Sequence, residues 1–189
     1  MSSVARHHTF TLDDYFAVEA RGVDKHELWD GQILLMAGGS ARHNALCANF
    51  LGVCVPALRG GACRALSADQ RITTPDGLYT YADATLVCGP LDLGREQTLR
   101  NPTVLVEVLS DATRAYDRAE KLHRYQQIPS LRHVLLIEQA RVDVEHWYRE
   151  ATGWARTVVT DPDGALRLEP PGLTVPLAEL YDGVFDLAP

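Results

Sequence analysis

Two acids stand where acids are costly. Asp83 lies within the run LYTYADATLV (78–87), and Glu107 within VLVEVL (104–109), both rich in β-branched and apolar residues. Each run reads as a strand, and the second, apolar almost throughout, as one covered on both faces. A carboxylate inside such a strand is expensive unless its charge is compensated. Alternation puts Glu107 on one face with Leu105 and Leu109, and Asp83 on one face with Tyr81, Thr85 and Val87. If the two strands pair, the carboxylates meet, and neighbouring carboxylates cannot both stay ionised without a counter-charge. The natural compensator is a hard divalent cation bound through oxygen. Mg²⁺ suits the pair best, with Mn²⁺ as a substitute, because Mg²⁺ takes one or two carboxylates and keeps waters and phosphate oxygens as its other ligands. Taken singly, a strand carboxylate is more often an ion-paired or edge residue. The pair, followed by a lysine on the next helix, is what points to metal chemistry.

That helix follows a turn of capping residues, Ser110-Asp111-Ala112-Thr113, and is expected from about Ala115 to Gln127. Asp117, Lys121 and Arg124 fall at i, i+4 and i+7 on one face, while Ala115, Ala119, Leu122 and Tyr125 can pack against the sheet. Asp117–Lys121 has a plain reading as a solvated ion pair contributing roughly a few tenths of a kcal/mol. In the chemical reading Lys121 leans toward the metal, where an ammonium orients or deprotonates an attacking water and stabilises charge growing on a phosphate. Tyr116 and Tyr125 read as core or rim aromatics.

The elements that must position these residues can be read in order. Thr11 to Ala20 has a capping-style start and helical spacing at Leu12, Tyr15, Phe16 and Glu19. Asp30-Gly31 separates two apolar strands within 26–36, a strong two-residue hairpin signal. Residues 41–58 suit a mostly buried helix, with Leu46, Ala48, Phe50, Leu51, Val53 and Val55 as its apolar positions. Short strands are expected at 63–66, 70–74 and 78–87, a loop at 91–100, further strands at 131–137, 141–149, 154–159 and 166–168, and a last helical turn at 176–180. The chain of 189 residues is long enough for one sizeable domain. The pattern predicts an α/β (α+β) fold over 1–189, a central mixed β-sheet flanked by helices.

Composition narrows the function. The formal charge of −7 argues against a protein that holds nucleic acid mainly by phosphate neutralisation, but not against clustered acids compensated by metal. Cys47, Cys54, Cys63 and Cys88 lie in apolar surroundings without paired spacing and read as reduced core residues. No apolar run has the length of a membrane span, so no membrane partner is expected and the expected address is the cytoplasm. No Gly-x-Ser-x-Gly elbow supports a serine hydrolase.

Taken together, the residues resemble the Uma2-like branch of the PD-(D/E)XK nuclease superfamily of restriction-endonuclease-like proteins. The specific part is VEVLS (106–110) with TRAYDRAEKL (113–122) after it; HELWDG (26–31), His43, Tyr81-Ala82-Asp83 and PLAELY (176–181) support it. The resemblance implies a restriction-endonuclease-like core and Mg²⁺-dependent hydrolysis of phosphodiesters in DNA, with RNA an open possibility. Asp83 takes the place of the aspartate of "PD" and Glu107 that of the "(D/E)", the backbone carbonyl of Val108 joining them as a metal ligand. Two departures stand out: Ala82 replaces the proline, and Leu109 occupies the lysine position, so Lys121 is the candidate for the displaced lysine. Glu27 matches a position that could complete the metal site, and His43 one that could bind phosphate or relay a proton. Plainer roles remain for both, Glu27 as the partner of Lys25 or Arg71 and His43 as a capping or packing residue. A homodimer is expected, since many nucleases pair to cut both strands. The missing lysine at position 109 and the acidic balance leave a second reading, a catalytically degenerate nuclease fold serving as a DNA- or protein-binding module.

Overall fold

The computed structural model describes residues 9–22, 24–36, 38–111 and 114–188. Helix α1 (Leu12–Glu19) starts in a reciprocal cap: the Thr11 side chain accepts from the Asp14 N–H, and the Asp14 carboxylate accepts from the Thr11 N–H. Strands β1 (His26–Trp29) and β2 (Gln32–Leu35) form the expected hairpin. Its corner residues Asp30 and Gly31 both have positive φ, 44° and 75°, as a two-residue turn matched to strand twist requires.

Helix α2 (Ala41–Ala57) is capped by Ser40, whose hydroxyl accepts from the His43 N–H at 3.1 Å. It is not mostly buried. Leu46, Phe50 and Cys54, one stripe at four-residue spacing, face the interior, whereas Ala48 and Val55 are exposed. Periodicity, not apolar content, decides which of its positions are covered.

Strands β3 (Cys63–Ser67) and β4 (Arg71–Thr73) come next. The run 78–87, expected as one strand, is two: β5 (Tyr79–Tyr81) and β6 (Ala84–Cys88). Between them the chain passes from a four-stranded sheet, ordered β2-β1-β5-β4, into a six-stranded one. Asp83 therefore sits at the junction of two sheets rather than inside a strand. Its N–H still donates to the Val106 carbonyl at 2.9 Å, which sets it beside the next strand, β7 (Val104–Leu109).

After β7 come three short helical pieces in succession: α3 (Arg114–Tyr116), a π turn (Asp117–Lys121) and α4 (Leu122–Tyr125). Leu122 and Tyr125 are buried as expected, but Ala115 and Ala119 are exposed, and Asp117 and Lys121 turn inward instead. Of the expected turn before this segment, Ala112 and Thr113 lie outside the described residues. Strands β8 (His133–Glu138), β9 (Val144–Glu150) and β10 (Gly153–Val159) complete the six-stranded sheet, ordered β10-β9-β8-β7-β6-β3, in which β7 and β8 run parallel and the other neighbours antiparallel. A separate ribbon pairs β11 (Ala165–Leu168) with β12 (Leu173–Pro176), and α5 (Leu177–Leu180) is the expected last turn. Strand β12 has no counterpart in the sequence reading, because it is short and follows Pro170-Pro171-Gly172.

The central sheet is covered on both faces. Val104, Val106 and Val108 pack with Leu46, Phe50 and Cys54 of α2 and with Leu177 and Leu180 of α5. Leu105 and Leu109 pack on the other face with Leu122, Tyr125, Ile128 and Leu131. The mixed α+β fold is thus the one expected, with a second sheet added beside the central one. The cysteines require a correction. Cys63 and Cys88 stand opposite each other in the β3–β6 ladder and are joined in a disulfide, while Cys47 and Cys54 are free. Cross-strand register brought together two residues whose spacing of 25 carries no pairing signal, and cysteine usage no longer argues for a reducing compartment. Among the described residues, no helix is long and apolar enough to cross a membrane.

Candidate active site

Glu107, Lys121, Glu27 and Asp117 meet at the C-terminal end of β7, each no more than 6% exposed. The elements bring them from different directions. Strand β7 carries Glu107 on its helix-facing side, β1 contributes Glu27 from the second sheet, and the π turn aims Asp117 and Lys121 at both. A π turn widens the helix by one residue per turn, and such turns frequently occur at functional sites. The Lys121 Nζ lies 3.0 Å from Glu27 Oε1, 3.1 Å from Glu107 Oε1 and 3.9 Å from Asp117 Oδ1. Two tyrosines and a threonine finish the cluster. The Tyr125 hydroxyl donates to Glu107 Oε1 at 2.6 Å, the Tyr116 hydroxyl to Glu27 Oε2 at 2.9 Å, and the Thr80 hydroxyl to Glu27 Oε1.

Asp83 approaches from the sheet junction. Its Oδ2 accepts from the Val108 N–H at 2.7 Å and lies 3.1 Å from His43 Nε2. The backbone of β7 explains the first contact. Gln139 donates to the Leu109 carbonyl from the β8 side at 2.8 Å. Alternation along the strand then turns the N–H and carbonyl of Val108 toward Asp83. His43 is delivered by the first turn of α2, and its ring lies against Gly39, where a Cβ would come within 2.4 Å of Nδ1. These residues line a cavity of about 430 Å³ whose walls include Glu27, Asp83, Glu107, Val108, Asp117 and Lys121.

The electrostatics follow from one ammonium among several acids. Burial pushes the Glu107 carboxyl well above the usual carboxylate range, with Asp83 and Asp117 adding to it and Lys121 opposing. Burial acts against the charge on Lys121, but Glu107, Tyr125, Glu27 and Asp117 outweigh it and hold the ammonium well above its ordinary value. Burial acts against the Glu27 carboxylate too, yet Lys121, Thr80 and Tyr116 bring it below the usual range. His43 is raised despite its burial, because Asp83 faces it. Four carboxylates therefore share one lysine and one histidine, and the fully charged cluster keeps an excess of negative charge.

That excess is where the residues fit a divalent cation. The hydrogen bonds and ion pairs of Asp83 engage Oδ2 and those of Glu107 engage Oε1. Among the described residues this leaves Oδ1 and Oε2 for a further ligand, since an ionised carboxylate accepts through both oxygens. With the Val108 carbonyl turned the same way, the donor set is hard oxygen.

All five side chains singled out from sequence, Asp83, Glu107, Lys121, Glu27 and His43, thus line one cavity. Glu27 does not pair with Lys25 or Arg71, which bond instead to Asp69 and Glu19. The Asp117–Lys121 pair is buried, not solvated, and Arg124 turns away to Asp30 and Asp76. The sequence reading passed over Asp117 as a site residue, and also Thr80, Tyr116 and Tyr125. Tyr125 stands four residues after Lys121, a spacing that could have signalled a shared target; nothing in the sequence ties Thr80 or Tyr116 to Glu27.

Comparisons with known proteins agree with this architecture. A protein of Synechocystis sp. described only as "Uncharacterized protein slr1290" is 31% identical over 173 residues, covering 91% of each chain. A second from the same organism, "Uncharacterized protein sll1609", is 28% identical over 152 residues, 79% of this chain and 86% of that one. Among solved structures, one from Anabaena variabilis described as "a putative nuclease belonging to DUF820" superposes with a TM-score of 0.70 at 16% identity, over 85% of this chain and 92% of its own, which shows a shared fold. Residues 12–178 match the family model Uma2, described as "Putative restriction endonuclease". The chain belongs to the Uma2 family of restriction-endonuclease-like proteins.

Proposed function

We propose that this chain is a metal-dependent endonuclease that hydrolyses phosphodiester bonds in DNA, its 189 residues forming one catalytic domain. The observation that carries this reading is the convergence of Glu107, Glu27 and Asp117 on the ammonium of Lys121, with Asp83 paired to His43 on the wall of the same open cavity. Asp83, Glu107 and the Val108 carbonyl would hold Mg²⁺, or Mn²⁺ in its place, with Glu27 as a further candidate ligand. Such an ion, when bound, polarises a phosphate and lowers the pKa of a bound water.

The remaining work falls to the chain's own groups. Lys121 is kept charged by its carboxylate neighbours, and at the cavity wall an ammonium can orient a water and stabilise charge developing on phosphate oxygens. Tyr125 and Tyr116 fix the Glu107 and Glu27 carboxylates by donating to them, which keeps the donor set in place before substrate arrives. Asp83 raises the His43 pKa against the effect of burial, and at the cavity wall an imidazolium suits a phosphate oxygen or a proton relay. Burial under two cores excludes bulk water from the inner side of the cluster and strengthens each of these interactions. Cutting both strands would call for two such sites, hence a homodimer.

The test is cleavage of supercoiled and linear DNA with Mg²⁺ or Mn²⁺. The native chain should nick or cut and Asp83→Ala should not; equal cleavage by both would overturn the reading. The position expected for the lysine is occupied by fully buried Leu109, which favours as a second reading a chain that binds metal and nucleic acid without cutting. A melting temperature that rises with Mn²⁺ in the absence of any cleavage would select it.

A further inference from the structure

Beside Asp83 lies a second donor set of different chemistry. His43, Cys47 and Asp83 each present a ligand atom, all within 4.8 Å of one another. His43 Nε2 is 3.1 Å from Asp83 Oδ2, and Cys47 Sγ is 3.7 Å from His43 Nδ1. His43 and Cys47 stand at i and i+4 on α2, the spacing that puts two ligands on one helical face. The ring of His43 is confined by Gly39, whose missing side chain makes room for it. Cys47 is half-buried and outside the disulfide, so its sulfur is a free thiol.

We infer that His43, Cys47 and Asp83 form a zinc-binding site, separate in donor type from the oxygen site and sharing Asp83 with it. One nitrogen, one sulfur and one oxygen are the ligand types Zn²⁺ takes, and a thiolate selects against Mg²⁺ and Mn²⁺. Three protein ligands leave a fourth position, and His43 and Asp83 both line the cavity, so that position opens toward it. Binding displaces the Cys47 thiol proton, and the His43 proton when present, to solvent. The Val108 N–H bond to Asp83 orients the shared carboxylate in the way that outer partners orient metal ligands. Since one carboxylate serves both sites, zinc competes with the hard cation. That consequence rests on the nuclease reading above, while the zinc site itself does not.

Cobalt substitution of the whole chain tests the site directly. Co²⁺ should produce a near-ultraviolet thiolate-to-metal absorption and the visible bands of a four-coordinate ion, both removed by added Zn²⁺. Cys47→Ser should abolish the thiolate band and weaken zinc binding by at least about 100-fold, more than the loss of an outer partner costs. Cys54→Ser should leave the band intact. No thiolate band in the native chain, or a band that persists in Cys47→Ser, overturns the site. In the cleavage assay, micromolar Zn²⁺ should inhibit the Mn²⁺-supported reaction of the native chain and inhibit Cys47→Ser far less, each relative to its own zinc-free rate. Equal inhibition overturns the competition. A chain that never cuts DNA but shows the Cys47-dependent band refutes the nuclease reading and leaves the zinc site standing.

Discussion

One helical segment, 114–125, serves two clusters of buried charge, and they are built on opposite principles. On one side Arg114 and Arg118 reach Glu138 at 3.1 and 3.0 Å, Arg118 also reaches Glu145 at 2.7 Å, and Arg156 reaches Glu145 at 3.2 Å. There three guanidiniums serve two buried carboxylates, Arg114 also reaching the exposed Asp111, and forked donors match carboxylate geometry. On the other side Asp117 joins Glu27 and Glu107 around one lysine, with Asp83 beside them on His43. The first cluster has a guanidinium for each buried acid and one to spare, and it fastens the helix to β8 and β9. The second is short of positive charge and opens on a cavity. Buried charge alone thus does not identify a functional site here; an unbalanced count beside an opening does.

The contrast can be broken by substitutions of opposite sign. The largest effect is expected from Lys121→Met. It leaves Glu27, Glu107 and Asp117 buried without their base and should cost about 3–5 kcal/mol in urea unfolding without metal, the range for breaking a buried pair. A loss below 1 kcal/mol would show that the acids are already neutral. Next, Arg118→Ala should cost about 2 kcal/mol, smaller because Arg114 stays with Glu138, and the loss should be the same with and without Mn²⁺. Metal-dependent recovery there would erase the distinction between the clusters.

Glu107→Gln should act in the reverse direction. The folded state holds a proton on Glu107 more tightly than the unfolded chain, so its contribution to stability is present below the ordinary carboxylate pKa and lost as pH rises toward the raised value. Without metal, Glu107→Gln should flatten that decline, raise the melting temperature at neutral pH by about 1 kcal/mol equivalent, and abolish the gain from Mn²⁺. Glu27 carries the opposite sign, its lowered pKa giving stability above the ordinary value that is lost as pH falls through the folded one. A Glu107→Gln profile that matches the native one would remove Glu107 from the cluster's balance. The smallest effect belongs to Arg124→Ala. It removes contacts to the largely exposed Asp30 at 2.7 Å and to Asp76 at 3.5 Å, and should cost under about 1 kcal/mol. A loss as large as that of Lys121→Met would mean that every base on this helix matters alike.

The site was legible in the sequence wherever local pattern and chemical cost coincide. Glu107 was visible because a carboxylate interrupts an apolar strand, and Lys121 because it follows at helical spacing. Asp83 was found as a residue and misplaced as an element, since nothing local marks the point at which a strand leaves one sheet for another. The tyrosines stayed hidden because their partners are 18 and 89 residues away, Glu107 from Tyr125 and Glu27 from Tyr116, and Asp117 because its pairing with Lys121 at i, i+4 reads equally as a solvated ion pair.

By itself the sequence determined the capped start of α1, the Asp30-Gly31 hairpin, the covered strand 104–109 and the presence of costly acids, all set by neighbours a few residues apart. Only the tertiary structure decided that Glu27 arrives from a second sheet, that a π turn points Lys121 inward, that Cys63 meets Cys88, and that three carboxylates surround one ammonium. Those outcomes depend on register and on packing between distant elements, which composition and periodicity do not encode.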